Sequence, residues 1–254
     1  MSELTRPGRA LQQYTAARVA LARAGSAVST AEQLAFQLDH ARARDAVHDT
    51  VDFAGLLAGL RERGSAAVML ESAAGGAEAR HLYLRRPDLG RRLGLRALQE
   101  LEELAAGHSQ ADALVVVADG LSALAVDRNA LPLLDALLPL LADWKLGPVC
   151  VVRNGRVAIG DEIGAILKAK LTVLLIGERP GLSAPDSLGV YLTWNPKPGR
   201  TDAERNCISN IRLEGLAYDE AARRISFYMN AARAAGSTGF LLKEPASPNL
   251  PAIG

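Results

Sequence analysis

Apolar and polar positions along this chain change rhythm near residue 110. Before it, apolar residues recur mostly at helical spacing. Residues 11 to 24, rich in Ala, Leu and Arg, read as a helix stopped at Gly25. Thr30 predicts an N-cap, with Gln33 in capping-box spacing, for a helix running through Leu34, Phe36, Leu38 and Ala41 toward Asp49. Phe53 to Arg63 reads as a short amphipathic helix. Ala66 to Leu70 and His81 to Leu84 then predict two strands around the Gly75-Gly76 turn, a β-hairpin. Pro87 and Asp88 open a further helix, in which Leu89, Leu93, Ala97, Leu101 and Leu104 keep close to the helical period until Gly107.

After residue 110 short apolar runs alternate with helical segments. Ala113 to Ala118 is a continuous apolar strand turned by Asp119-Gly120. A long Leu- and Ala-rich segment follows to Trp144, interrupted by Pro132 and Pro139, so it reads as a kinked helix or two shorter ones. Val149 to Val152, Leu171 to Ile176 and Gly189 to Thr193 predict further strands, with a helix over Gly160 to Lys170. Asp202 to Asn206 reads as a short helix, Asp219 to Ala235 as a long one, and Gly239 to Leu242 as a last strand. That order is α/β: a Rossmann-like, largely parallel sheet with helices on both faces, after a helical N-terminal region with a short β-hairpin. The division falls at residues 1–110 and 111–254.

At 254 residues and 49% hydrophobic content the chain can bury a full core. Its 29 basic and 28 acidic residues nearly cancel, so it lacks the electrostatic footprint of a nucleic-acid binder. Two cysteines, Cys150 and Cys207, with no C-x-x-C spacing and no clustered histidines, predict neither a zinc site nor a disulfide framework. The N-terminus lacks the apolar stretch of a signal peptide and no run is long enough to span a membrane, which predicts a soluble, cytoplasmic protein. His40 and His48 share a helix without a third ligand and read as polar surface groups, and Arg91 and Arg92 as solvated arginines within reach of a partner's carboxylate or a phosphate.

The densest chemistry lies between Arg153 and Arg212. Glu178 follows a buried strand and precedes Pro180-Gly181, at the strand end where open α/β sheets place a ligand crevice. Asn154-Gly155-Arg156-Val157 makes a turn upstream, and Arg205 to Asn210 surrounds Cys207 with hydrogen-bonding side chains. Alone, Val157 reads as core, Glu178 as an ion pair with Arg179, and Cys207 as a small buried hydrophobe. Neither G-x-G-x-x-G nor G-x-x-x-x-G-K-[ST] occurs, so a nucleotide has no motif behind it. One class of reading is then a stand-alone ligand-binding or hydrolytic protein using a polar crevice near Asp119 and Cys207.

Five strings carry a more specific reading: RPDLGRRL (86–93), ADGLSALA (118–125), GRVAIGDEIG (155–164), LIGERPGLSAPDSLG (175–189) and DAERNCISNIR (202–212). Together, over about residues 17–243, they resemble the small subunit of adenosylcobalamin-dependent ethanolamine ammonia-lyase. The resemblance implies a lyase in which a large TIM-barrel subunit holds ethanolamine and the small subunit closes over the cobalamin, giving acetaldehyde and ammonia. It implies that Val157, Glu178 and Cys207 contact the cofactor, and that residues 1–110 contact the large subunit while 111–254 carry the cobalamin-binding domain. The D-x-H-x-x-G motif of proteins that replace the cofactor's own base is absent, so the resemblance implies adenosylcobalamin bound base-on. No catalytic group and no metal ligand is then expected from this chain. The location implied is the cytoplasm, with a bacterial microcompartment as the family's further option.

Overall fold

The computed structural model describes residues 23–24, 27–107 and 110–243. Its frame is a six-stranded sheet in the order β3-β5-β4-β6-β7-β8. The strands are β3 (Ala67–Glu71), β4 (Ala113–Ala118), β5 (Val149–Arg153), β6 (Leu171–Gly177), β7 (Leu188–Trp194) and β8 (Asn206–Ile211). The first four in that order run parallel to one another; β7 is antiparallel to β6, and β8 to β7. The two-residue strands β1 (Arg23–Ala24) and β2 (Ala27–Val28) form a separate antiparallel pair.

Every residue of β4 and β6 is buried, because both faces of the central strands are covered. On one face Val115, Val117, Val173, Leu175, Val190 and Ile208 pack with α2 (Phe53–Glu62), α5 (Ala123–Leu137) and α7 (Tyr218–Ala235). On the other, Leu114, Val116, Val152, Leu174 and Ile176 meet α4 (Leu95–Gly107) and α6 (Ile159–Ile166). Along β7 and β8 this second face opens: Tyr191 is half-buried, and Cys207 and Ser209 are exposed.

Helix α1 (Thr30–His48) is capped one residue earlier than expected, by Ser29, whose Oγ accepts from the Glu32 N–H at 3.3 Å. Only Ala46 of this helix is buried, and Leu34, Phe36 and Leu38 are exposed. The long segment after β4 resolves into α5, with Pro132 inside it, and a 3₁₀ turn over Leu138–Leu141.

Several expectations fail. The helix expected to open at Pro87 and Asp88 begins only at Leu95, with Leu89–Arg91 a 3₁₀ turn and Arg92 extended before it. The β-hairpin does not form: Ala67–Glu71 is an edge strand parallel to β5, and His81 to Leu84 lies in α3 (Arg80–Arg85), which buries Arg80 and Tyr83 three positions apart. Asn206 belongs to β8 and not to a helix; only Asp202–Glu204 makes a 3₁₀ turn. Gly239 to Leu242 is not a strand, and Gly239 instead takes a positive φ of 111°. The helix expected over residues 11 to 24 lies mostly outside the described residues, and its last two residues are the strand β1. Among the described residues no helix is long and apolar enough to cross a membrane.

Candidate functional site

The side chain of Glu178 lies where β6 hands over to β7. Gly177 ends β6 in a place too tight for any other residue: a Cβ there would stand 2.1 Å from the Ser122 carbonyl oxygen. Glu178 then turns its carboxylate over Gly189, where an added Cβ would stand 2.9 Å from Oε1. Ser209 Oγ donates to Oε1 at 2.5 Å, the Asn210 N–H donates to Oε2 at 3.1 Å, and the buried Ser187 hydroxyl also donates to Oε2. These three groups, and not Arg179, are the partners of the Glu178 carboxylate.

Cys207 sits on β8 opposite Tyr191 of β7, with both side chains on the open face. Burial pushes the Cys207 thiol above 9.0, partly offset by a hydrogen bond from Tyr191, with the charges of Glu178 and Asp202 adding to the rise. Burial likewise raises the Tyr191 phenol. Cys207 is nonetheless exposed at its place on the strand.

Val157 follows β5 and packs half-buried at the margin of the same face. Its loop is held from several directions. Asn154 takes a positive φ of 55° and donates from Nδ2 to the carbonyls of Gly75 and Gly76, each at 3.0 Å. The Tyr83 hydroxyl lies 2.8 Å from the Gly155 carbonyl, and the Arg156 N–H donates to Gly90 at 2.7 Å. The Arg156 guanidinium stands 4.6 Å from the Tyr83 ring centroid. Val157, Glu178 and Cys207 therefore all belong to one face of the sheet, Cys207 from a strand and not from the loop expected.

The crevice pairing Asp119 with Cys207 does not form. Asp119 follows β4, with β6 and β7 lying between that strand and β8. The residue is 3% exposed, and its carboxylate accepts from Arg80 Nη1 at 3.2 Å and from the N–H groups of Asn154 at 2.9 Å and Gly155 at 3.1 Å. Burial pushes this carboxyl up, against the pull of Arg80 and the backbone N–H groups. It braces the Val157 loop from inside. His40, His48 and His81 are exposed and lie on α1 and α3.

Sequence reasoning missed Ser187, Gly189, Tyr191, Ser209 and Asn210. The polar density of RNCISN was the available signal for the last two. Gly189, a glycine at the start of a strand, offered the signal of a bulge or close approach; Tyr191 offered none.

The site offers fixed acceptors beside an apolar margin, and among the described residues that form it no nucleophile, base and orienting group stand in line. The family of the ethanolamine ammonia-lyase light chain (EutC) matches residues 5–243. The ethanolamine ammonia-lyase small subunit of Pseudomonas aeruginosa strain PAO1 is 54% identical over 239 residues, covering 93% of this chain and 86% of that one. Its counterpart in Pseudomonas fluorescens strain Pf-5 is also 54% identical, over the same shares of both chains. That of Xanthomonas campestris pv. campestris strain B100 is 53% identical, covering 93% of this chain and 87% of the relative. With nearly the whole chain matched and identity far above what fold alone requires, the chain belongs to the ethanolamine ammonia-lyase light-chain family.

Proposed function

We propose that this chain acts as the small subunit of an adenosylcobalamin-dependent ethanolamine ammonia-lyase, joining a large subunit that holds ethanolamine, for conversion to acetaldehyde and ammonia. The observation that carries the reading is the open β7–β8 face, where a carboxylate fixed by three donors stands beside Tyr191 and Cys207, with Val157 on the same face.

The residues suit the group. A corrin rim carries neutral amides, whose N–H groups need acceptors, and Glu178 offers one already held in position. The rim between the amides is apolar, and Val157 and the Cys207 edge suit it without a further polar partner. When bound, adenosylcobalamin supplies the radical chemistry by homolysis of its cobalt–carbon bond. The chain's own residues bind and orient: Glu178 fixes one rim amide, Val157 and Cys207 limit the approach of the ring edge, and the sheet beneath keeps water from that side. The absence of D-x-H-x-x-G from the sequence supports a cofactor that would keep its own base. The exposed Leu34, Phe36 and Leu38 of α1 belong to the region assigned to contact with the large subunit. The enzyme works in the cytoplasm or within a microcompartment there.

The test is co-expression with the large subunit of a relative's operon, followed by ammonia release from ethanolamine with and without adenosylcobalamin. Cofactor-dependent release by the pair, and none by this chain alone, is expected. Release by the isolated chain would overturn the proposal.

A further inference from the structure

The pairing of β7 with β8 slips once. Leu188 faces Ile211 and Val190 faces Ile208, so Gly189 alone on β7 stands against two residues, Ser209 and Asn210, on β8. This is a β-bulge, and Asn210 takes a φ of 59° to make it. In a regular strand a neighbouring side chain and N–H would not converge on one acceptor from the same side. Here Ser209 Oγ reaches Glu178 Oε1 at 2.5 Å, and the Asn210 N–H reaches Oε2 at 3.1 Å. The missing side chain of Gly189 leaves the room in which that carboxylate lies. Bulge, glycine and carboxylate form one built unit.

We propose that Ser209 is a ligand contact in its own right: an acceptor, with its only proton committed to Glu178, that takes an amide N–H from the cofactor rim and disfavours a carboxylate there. A serine hydroxyl has one proton and two lone pairs. The Ser209 proton points at a carboxylate, which has none to return, so only lone pairs remain for a ligand. Of the two serines on Glu178, Ser187 is buried at 6% exposure and Ser209 is exposed on the open face. Ser209 is therefore the one a ligand meets. An amide N–H finds an acceptor at that point; a ligand carboxylate finds lone pairs backed by the Glu178 charge. The inference rests on the cobalamin reading and adds to it a residue and a basis for discrimination.

The experiment titrates hydroxocobalamin, followed by absorbance, into the assembled two-subunit complex carrying wild-type chain, Ser209→Ala or Ser209→Thr. The same titrations use cobalamin monocarboxylic acids, in which one rim amide has been hydrolysed. Ser209→Ala is expected to weaken hydroxocobalamin binding about three- to tenfold, with Ser209→Thr restoring it to within about twofold. At least one monoacid should bind the wild-type complex less well than hydroxocobalamin, and Ser209→Ala should narrow that gap. Wild-type affinity in Ser209→Ala, an equal loss in the Ala and Thr variants, or a gap that Ser209→Ala leaves unchanged would overturn the assignment. If the wild-type complex takes up no cobalamin at all, the underlying cobalamin reading fails instead, and this inference falls with it.

Discussion

Arg205 makes a bidentate pair with Asp161, both bonds at 2.7 Å, and the two side chains are 2% and 1% exposed. Asp161 lies on α6, about a helical turn past Val157, while Arg205 stands just ahead of Cys207 on the chain. The pair therefore links the margin of the open face that carries Val157 to the strand that carries Cys207. Arg205 also donates to Thr193 Oγ1 at 2.8 Å and to the Arg200 carbonyl at 3.0 Å, which leaves its Nε without a hydrogen-bond partner and 3.5 Å from Asp202 Oδ1.

Removing one member of that pair leaves the other buried and uncompensated. Arg205→Met is expected to destabilise the chain by about 3–5 kcal/mol in urea denaturation, and the double variant with Asp161→Leu by clearly less. An Arg205→Met loss that the second substitution does not reduce would show that the two charges do not act as a pair.

Gly189 faces Glu178 so closely that its replacement by alanine must move the carboxylate. Because the Cβ would stand 3.0 Å from Glu178 Cγ as well as 2.9 Å from Oε1, the whole side chain shifts and not its tip alone. Gly189→Ala should weaken cobalamin binding of the assembled complex by about three- to tenfold, the value of one disturbed hydrogen bond. Equilibrium dialysis of the cofactor checks this; unchanged affinity would mean that the position of the carboxylate does not matter.

The two cysteines should differ sharply in alkylation. Burial pushes the Cys150 thiol up to about 12, and Cys207 lies above 9.0, more modestly and with access to solvent. Iodoacetamide at pH 8 is expected to modify Cys207 slowly and Cys150 not at all in the folded chain. Since the Tyr191 hydrogen bond lowers the Cys207 value, Tyr191→Phe should raise it further and slow the reaction at fixed pH. Mass spectrometry of timed samples reads both effects, and faster alkylation in Tyr191→Phe would contradict the assigned bond.

Acid titration probes the turn that leads into β8. Glu204 closes a capping box with Thr201, and its carboxyl falls from an ordinary 4.5 to about 2, first through the Thr201 N–H and then through Arg200 and the Thr201 hydroxyl. A depressed folded value means that the stabilising contribution is present above about 4.5 and is lost as pH falls toward about 2. Carboxyl carbon-13 shifts should place the Glu204 midpoint near the lower figure, and Thr201→Pro, which removes both Thr201 donors, should move it upward. A midpoint near 4.5 in the unaltered chain would refute the box in solution.

The central strands were legible because strands covered on both faces are continuous apolar runs, as in Ala113 to Ala118 and Leu171 to Ile176. Strand direction was not legible from such runs. A neglected clue was length: only Glu178 to Ser187 separates β6 from β7, less than a parallel crossover ordinarily needs. Strand β8 does not read as a strand because its outer face is open and polar and because the bulge at Ser209-Asn210 breaks the two-residue alternation. His81 to Leu84 is too short for period to separate helix from strand, and the deciding fact, that the Tyr83 hydroxyl lies between the carbonyls of Gly120 at 3.0 Å and Gly155 at 2.8 Å, is tertiary.

For the candidate site, the family motifs pointed to Val157, Glu178 and Cys207, and turn chemistry around Asn154-Gly155 and Pro180-Gly181 marked two of the three segments. What sequence could not supply was the support beneath Glu178. Its partners Ser187, Ser209 and Asn210 lie on β7 or near it and on β8, and they meet only because those strands pair antiparallel with a slipped register.

The central claim is that the carboxylate of Glu178 holds the cofactor and takes no part in bond making. The most direct measurement is a cobalamin titration of the assembled complex carrying Glu178→Ala, with ammonia release measured across the same cofactor range. Loss of one charge-assisted acceptor predicts binding weaker by roughly ten- to a hundredfold, with turnover largely restored at saturating cofactor. Normal cofactor affinity with turnover that stays abolished at saturation would contradict the account.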